Sequence, residues 1–276
     1  MLLFRLVLKV DRHSCAFGGT IVKICLLASS SSGNATFIGT ENTRILIDAG
    51  LSKREIFQRL DAIGESPEDL DAVVISHEHS DHVCGLIPIL RELRIPVYLS
   101  TLTAPAIAWG EYQPFIESFQ AGERLSIGDM EIDTFTIPHD AIDPVAFCIR
   151  AEGVKIGLVT DLGYVPSSVQ VHLRRCDFLM LESNHDLEML KVGPYPWSVK
   201  QRVMGRKGHL SNDAVSDFIQ EALDSSVSTL VLGHLSPHNN YPATVEMVAA
   251  QALSQRSLSP RLVVAEPRMQ SEVFSF

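Results

Sequence analysis

The stretch Ser76-His77-Glu78-His79-Ser80-Asp81-His82 places four metal-binding side chains within six residues. Imidazole and carboxylate are natural donors for zinc, manganese or iron. The stretch follows directly on Ala72-Val-Val-Ile75, an apolar run that reads as a buried strand. A turn at the strand end lets His77 and His79 converge on one ion. Asp81 and His82, at the start of the next helix, can point to a second. A lone histidine is more often structural than a ligand, but four donors packed behind an apolar strand are rarely accidental. Two ligands per ion are too few, so the rest of the chain must supply more. Three positions share the same setting. His139 follows Thr136-Ile-Pro138, Asp161 follows Gly157-Leu-Val-Thr160, and His234 follows Leu230-Val-Leu-Gly233. Each stands just past the end of an expected strand, where sites collect in layered α/β folds.

These donors must be positioned by a chain that alternates short β-rich runs with amphipathic helices. Strands are expected over 21–27, 35–39, 44–48, 72–76, 177–182, 229–233 and 262–265. Two hairpins join them, 125–127 with 130–137 around Gly128-Asp129, and 145–150 with 155–160 around Glu152-Gly153. A helix over 52–63 opens on a Ser52/Glu55 capping box. Further helices are expected over 82–94, 167–174, 212–223 and 242–254. Residues 29–34, Ser-Ser-Ser-Ser-Gly-Asn, read as a small polar loop. They do not form a phosphate-binding P-loop, because the Gly-Lys-Ser/Thr ending is missing. Hairpins in both halves with helices between them imply α/β layers built on mixed or antiparallel sheets.

The bulk properties bound what such a chain can do. Its 276 residues suit one large domain or two small ones, and nothing resembles a linker between domains. A net charge of -10 excludes global steering of nucleic acid, so an anionic substrate must be held by local cations or by metals. No apolar run is long enough to span a bilayer. The apolar start is broken by Arg5 and Lys9 and has no cleavage site, so it does not read as a signal peptide. Five dispersed cysteines without CxxC spacing point to a reduced, cytoplasmic protein without membrane association.

The HxHxDH stretch followed by His, Asp and His resembles the metallo-β-lactamase superfamily. That resemblance implies an αββα four-layer sandwich over residues 21–276, with 1–20 as an N-terminal extension of uncertain role. It puts His77, His79 and His139 on one ion and Asp81, His82 and His234 on the other, with Asp161 bridging. A water activated between the ions would be the nucleophile. Asp48, in Ile47-Asp-Ala-Gly50, matches the superfamily's first, supporting motif. Antibiotic-hydrolysing members usually carry Arg at the position of His82, so the pattern looks like the two-metal hydrolases instead. Longer strings look like the bacterial YycJ/WalJ group, regarded as DNA exonucleases. They include Leu27–Asn34, Pro138–Pro144, Leu181–Asp186, Tyr195-Pro-Trp197, Gly208–Asn212 and Gly233–Ser236 with Asn239-Asn240. The resemblance implies digestion from the 5′ end.

Phosphodiester hydrolysis needs an activated water, charge neutralisation and a proton for the leaving oxygen. Two metals serve the first two needs. The catalytic group is then Asp81, His209 and Glu182, with His209 as general acid and Glu182 orienting it, as in the similar tRNA 3′-processing RNase Z enzymes. His209 precedes a helix capped by Ser211 or Asn212, whose free N–H groups favour phosphate. Lys200, Arg202, Arg206 and Lys207 lead to it as a phosphate track. Ser31, Asn34 and His185 are further candidate substrate contacts. Tyr195 and Trp197 suit either base stacking or packing. The expectation is a DNA exonuclease with two zinc or manganese ions per chain and DNA favoured over RNA. Alternatives are a phosphodiesterase for small cyclic or nucleotide substrates and a metal-stabilised regulatory module.

Overall fold

A strand with apolar side chains on both faces must be covered on both. Strand β1 (Lys23–Ser30) is such a strand, with Ile24 and Leu26 in one core and Cys25 and Leu27 in another. The computed structural model describes residues 21–276; the expected extension over 1–20 lies outside the described residues. β1 pairs with β2 (Gly33–Gly39), followed by β3 (Arg44–Ile47), β4 (Ala72–Val74), β5 (Val97–Ser100) and β6 (Ile116–Phe119). The C-terminal β14 (Phe274–Ser275) lies on the other edge of β1. A second sheet runs in the order β7 (Arg124–Ile127), β8 (Met130–Thr136), β9 (Val145–Ala151), β10 (Val154–Val159), β11 (Phe178–Glu182), β12 (Thr229–Gly233) and β13 (Arg261–Val264). Each sheet begins antiparallel and turns parallel, from β3 onward in the first and from β10 onward in the second.

Helices cover both outer faces. On the first sheet, α1 (Lys53–Ala62) buries Ile56 and Leu60. Beside it, α2 (Ser80–Val83) leads into α3 (Leu86–Leu93), which buries Leu86, Ile89 and Leu90. These side chains meet Cys25, Leu27, Phe37 and Leu46. On the second sheet, α4 (Ser167–Leu173), α7 (Asn212–Glu221) and α8 (Pro242–Gln255) bury Val169, Phe218, Ile219 and Val245 against Leu179, Leu181, Leu230 and Leu232. Between the sheets lie Ile24, Ile38, Phe147, Phe178 and Val231. Burial of each such side chain contributes about 1.5–3 kcal/mol. The result is the expected αββα sandwich. Two short helices, α5 (Leu187–Val192) and α6 (Trp197–Val203), form an arm of the chain before His209. Among the described residues no helix is long and apolar enough to cross a membrane.

Half of the Ser52/Glu55 capping box forms: Ser52 Oγ accepts the Glu55 N–H at 3.3 Å, while Glu55 Oε2 accepts from the Ser52 hydroxyl at 2.8 Å in place of the Ser52 backbone N–H. Two other expectations are corrected. Residues 29–34 are not a loop, because β1 and β2 pair Ser29 with Asn34 and Ser30 with Gly33, leaving only Ser31-Ser32 to turn. The segment is drawn into the sheet because Ser29 Oγ accepts the His234 N–H at 2.8 Å. The helix expected over 82–94 is broken between α2 and α3. Gly85 N–H donates to Ala49 O at 2.8 Å, and a Cβ there would strike the Leu51 carbonyl, so the chain must break to dock on 49–51. Strands β5, β6 and β14 and helices α5 and α6 were not expected; their runs are too short to repeat a period often enough to stand out.

Candidate metal centre

Side chains from both sheets meet where the strands end. Asp48 follows β3, the HxHxDH stretch follows β4, His139 follows β8, Asp161 follows β10, Glu182 ends β11 and His234 follows β12. Three of these residues turn the chain through the left-handed region, at φ 61° for Asp48, 60° for Asp161 and 55° for His234. Such a backbone costs about 1–3 kcal/mol for a residue with a Cβ, and persists only where neighbours enforce it. Here Asp48 N–H donates to Val74 O, and Leu162 N–H, next to Asp161, donates to Glu182 Oε2.

The donor atoms fall into groups. Those of His77, His79 and His139 lie within 4.8 Å of one another, as do those of Asp81, His82 and His234. Asp161 groups with His77 and His82, one residue from each set. Its carboxylate lies 3.1 Å from His82 Nε2, 3.5 Å from His234 Nε2 and 3.7 Å from His139 Nε2. His77 Nε2 and His234 Nε2 are buried without a hydrogen-bond partner. Buried polar atoms normally have one. Orphaned imidazole nitrogens converging with carboxylates are what divalent ions require, so the residues fit the metals that the resemblance implied.

A surrounding layer of bonds holds these rings in place. His82 Nδ1 lies 2.8 Å from Asp48 Oδ2, and Asp48 Oδ1 accepts the Ser76 N–H at 2.8 Å. His139 Nδ1 faces Gly208 O at 3.3 Å. Glu182 is fully buried and receives four donors. Its Oε1 accepts from His209 Nδ1 at 2.8 Å and His234 Nδ1 at 2.6 Å, and its Oε2 accepts the N–H groups of Leu162 and Leu210 at 3.1 Å. Burial by itself would raise the Glu182 carboxyl, but the two imidazoles outweigh it and hold it at about 2. Burial works against the charged form of His209, yet the Glu182 carboxylate keeps that imidazole above its ordinary value. Burial pushes His77 well down, which leaves a neutral ring suited to ligation.

The expected substrate contacts divide. Ser31 is exposed at the turn, where its Oγ accepts from Asn184 Nδ2 at 3.1 Å. Arg202 pairs with Asp140, the neighbour of His139. The Arg206 guanidinium stands 4.1 Å over the Tyr164 ring, and Lys207 is exposed. Three others are buried. Asn34 points inward, its Nδ2 3.1 Å from His82 Nε2 and 3.3 Å from Asp81 Oδ2. Lys200 is 8% exposed and donates its ammonium to Lys191 O at 2.7 Å, because a buried cation must find an acceptor. His185 is 1% exposed, its backbone bridged to Ser211. Sequence reasoning missed Ser76 and Asn184, which donates from Nδ2 to His234 O at 2.9 Å. Residue type offered no signal for either; only their places beside the motifs did.

Comparison with known proteins agrees with this geometry. Residues 30–234 match the metallo-beta-lactamase superfamily. The chain is 35% identical to the exodeoxyribonuclease WalJ of Streptococcus pneumoniae, over 86% of this chain and 90% of that protein. It is 31% identical to the exodeoxyribonuclease YycJ of Bacillus anthracis, over 84% and 89%. The metallo-beta-lactamase fold protein YhfI from Bacillus subtilis superposes with a TM-score of 0.71 at 18% identity, covering 93% of this chain and all of that one. With the superfamily match over most of its length and near-full-length likeness to WalJ and YycJ, the chain belongs to the metallo-beta-lactamase superfamily, as a metal-dependent hydrolase of the WalJ/YycJ group.

Proposed function

We propose that this protein is a nuclease that degrades DNA from an end, in the 5′→3′ direction, with residues 21–276 acting as one hydrolase domain in the cytoplasm. The observation that carries the reading is the meeting of two ligand sets at Asp161 beside a partly exposed imidazole, His209, whose Nδ1 lies 3.6 Å from Asp161 Oδ1. The names of its near-full-length relatives supply the substrate class. Free thiols at Cys25, Cys84, Cys148 and Cys176 agree with a reducing compartment.

In this reading His77, His79 and His139 hold one ion, Asp81, His82 and His234 hold a second, and Asp161 serves both. Two zinc or manganese ions bound there would activate a water and neutralise the scissile phosphate. The protein's own groups do the rest. Glu182 accepts a hydrogen bond from the His209 Nδ1–H and stabilises the protonated ring, whose Nε2–H is given to the leaving oxygen. Asp48 fixes the His82 ring through Nδ1 and leaves Nε2 to face the ion. Arg202, Arg206 and Lys207 grip phosphates along the approach, which explains how an acidic chain holds a polyanion.

The test is digestion of end-labelled single- and double-stranded DNA and RNA with zinc- or manganese-loaded protein. Early release of a 5′-terminal label from DNA is expected. Hydrolysis of bis-p-nitrophenyl phosphate with every polynucleotide left intact would overturn the reading in favour of a small-diester phosphodiesterase.

A further inference from the structure

The arm before His209 carries a feature the metal centre leaves unused. Tyr195 and Trp197 are equivalent by type, but the structure separates them. Tyr195 is half-buried, its ring set edge-on to His238 with centroids 6.0 Å apart. Trp197 is 61% exposed. The chain's other tryptophan, Trp109, is half-buried and donates its Nε1–H to Ala104 O at 2.9 Å.

A single exposed aromatic is ordinary on a protein surface. The placement of Trp197 is what distinguishes it. On helix α6 Lys200 is buried, while Trp197, Ser198, Val199, Gln201 and Arg202 are all exposed. Arg202 reaches Asp140, beside His139. At the helix's C-terminal end Val203 O accepts the His209 N–H at 2.9 Å. Helix α6 therefore leads away from the metal centre. At a rise of about 1.5 Å per residue, Trp197 lies about 9 Å beyond Val203 along the axis. Arg206 and Lys207 continue the positive charge toward His209 on a chain whose net charge is -10.

We propose that Trp197 is a base-stacking platform for the nucleic-acid substrate, set at the outer end of the Arg202, Arg206 and Lys207 track. The cations grip phosphates near the metal centre, and the indole grips a nucleobase beyond it. The inference rests on the nucleic-acid reading above. It implies little sequence preference, because every base offers a π-face.

The test uses metal-loaded protein and a fluorescein-labelled phosphorothioate DNA that resists cleavage. Anisotropy reports binding, and in a Trp109→Phe background the emission reports Trp197 alone. DNA should quench that emission. Trp197→Ala should weaken binding about tenfold, and Trp197→Phe should keep most of it. Removing one base, scanned position by position along the strand, should at one position weaken the wild type similarly but Trp197→Ala little, so that the two losses are coupled. This coupling needs no tryptophan signal and holds even if Trp109→Phe folds poorly. DNA that binds without quenching, or losses that add independently, overturns the platform and leaves the nuclease reading standing. Failure of every protein to bind DNA at low salt overturns both. Self-association that Trp197→Ala abolishes would assign the face to a second copy of the chain and overturn the platform.

Discussion

Gly208-His209-Leu210-Ser211 and Gly233-His234-Leu235-Ser236 are the same four residues in different places. Their histidines even share one carboxylate oxygen, Glu182 Oε1. The far sides of the two rings differ. His234 leaves β12 through a left-handed turn, is fully buried, and sends an unpartnered Nε2 toward Asp161 and Asp81 at 3.5 and 3.7 Å. His209 sits between the arm and α7, with 18% of its side chain exposed at the mouth of the site. The glycines before them permit different close approaches. A Cβ on Gly233 would meet Ser29 Oγ at 2.5 Å, and one on Gly208 would strike Val203 O. Identical residues thus become ligand and acid candidates according to the direction from which the backbone delivers them.

The largest effect should come from the buried ring. His234→Ala removes one donor from the Asp81, His82 and His234 set. Elemental analysis should find about one ion fewer per chain, and DNA hydrolysis should fall by more than about 10⁴, beyond the usual worth of acid catalysis. Two tightly held ions in that variant would erase the difference between the strings. His209→Ala should keep both ions and slow DNA hydrolysis by about 10²–10⁴. Its defect should shrink on an ester of p-nitrophenol, whose leaving group departs without a proton. Equal slowing on both substrates would show that the roles had been exchanged.

Glu182→Gln tests what the two strings share. Read from the sequence, this carboxylate only orients the acid; the structure shows it also bonding His234, so metal affinity and turnover should both drop, each by about 10–100-fold. Loss of turnover with metal affinity intact would tie Glu182 to His209 alone. A smaller effect concerns pH. Glu182 holds His209 above the ordinary imidazole value against burial, so the acid keeps its proton to higher pH than a free imidazole would, and kcat falls as pH climbs past the raised pKa. In Glu182→Gln that fall should begin at lower pH. Identical alkaline limbs in the two pH–rate profiles would detach the pair. The smallest effect separates the cations leading to His209. Arg206→Glu with Lys207→Glu should flatten the dependence of log binding on log salt by about 2, whereas Lys200→Met, altering a buried ammonium, should leave the slope unchanged. A flattened slope for Lys200→Met would return it to the phosphate track.

Much of this protein could be read from the chain alone. Four donors within six residues lie close together whatever the rest of the chain does, because spacing that short is a property of the covalent backbone. Apolar runs of period two and helical faces of period 3.6 declare layers, and donors placed just after such runs declare strand ends. Several short elements escaped because a run that brief repeats its period once or twice at most, and residues 29–34 misled because small polar residues suit turns and close-packed strands alike. Other features required the folded molecule. The left-handed turns at Asp48, Asp161 and His234, the shared Glu182 oxygen, the inward Lys200 and the outward Trp197 depend on residues far apart in the chain, as when Ser29 accepts the His234 N–H across 205 positions. Local composition names the groups a chain has to offer. Which of two identical groups meets the metal is decided by contacts that form only when distant strands pack, since only these fix the direction of a side chain.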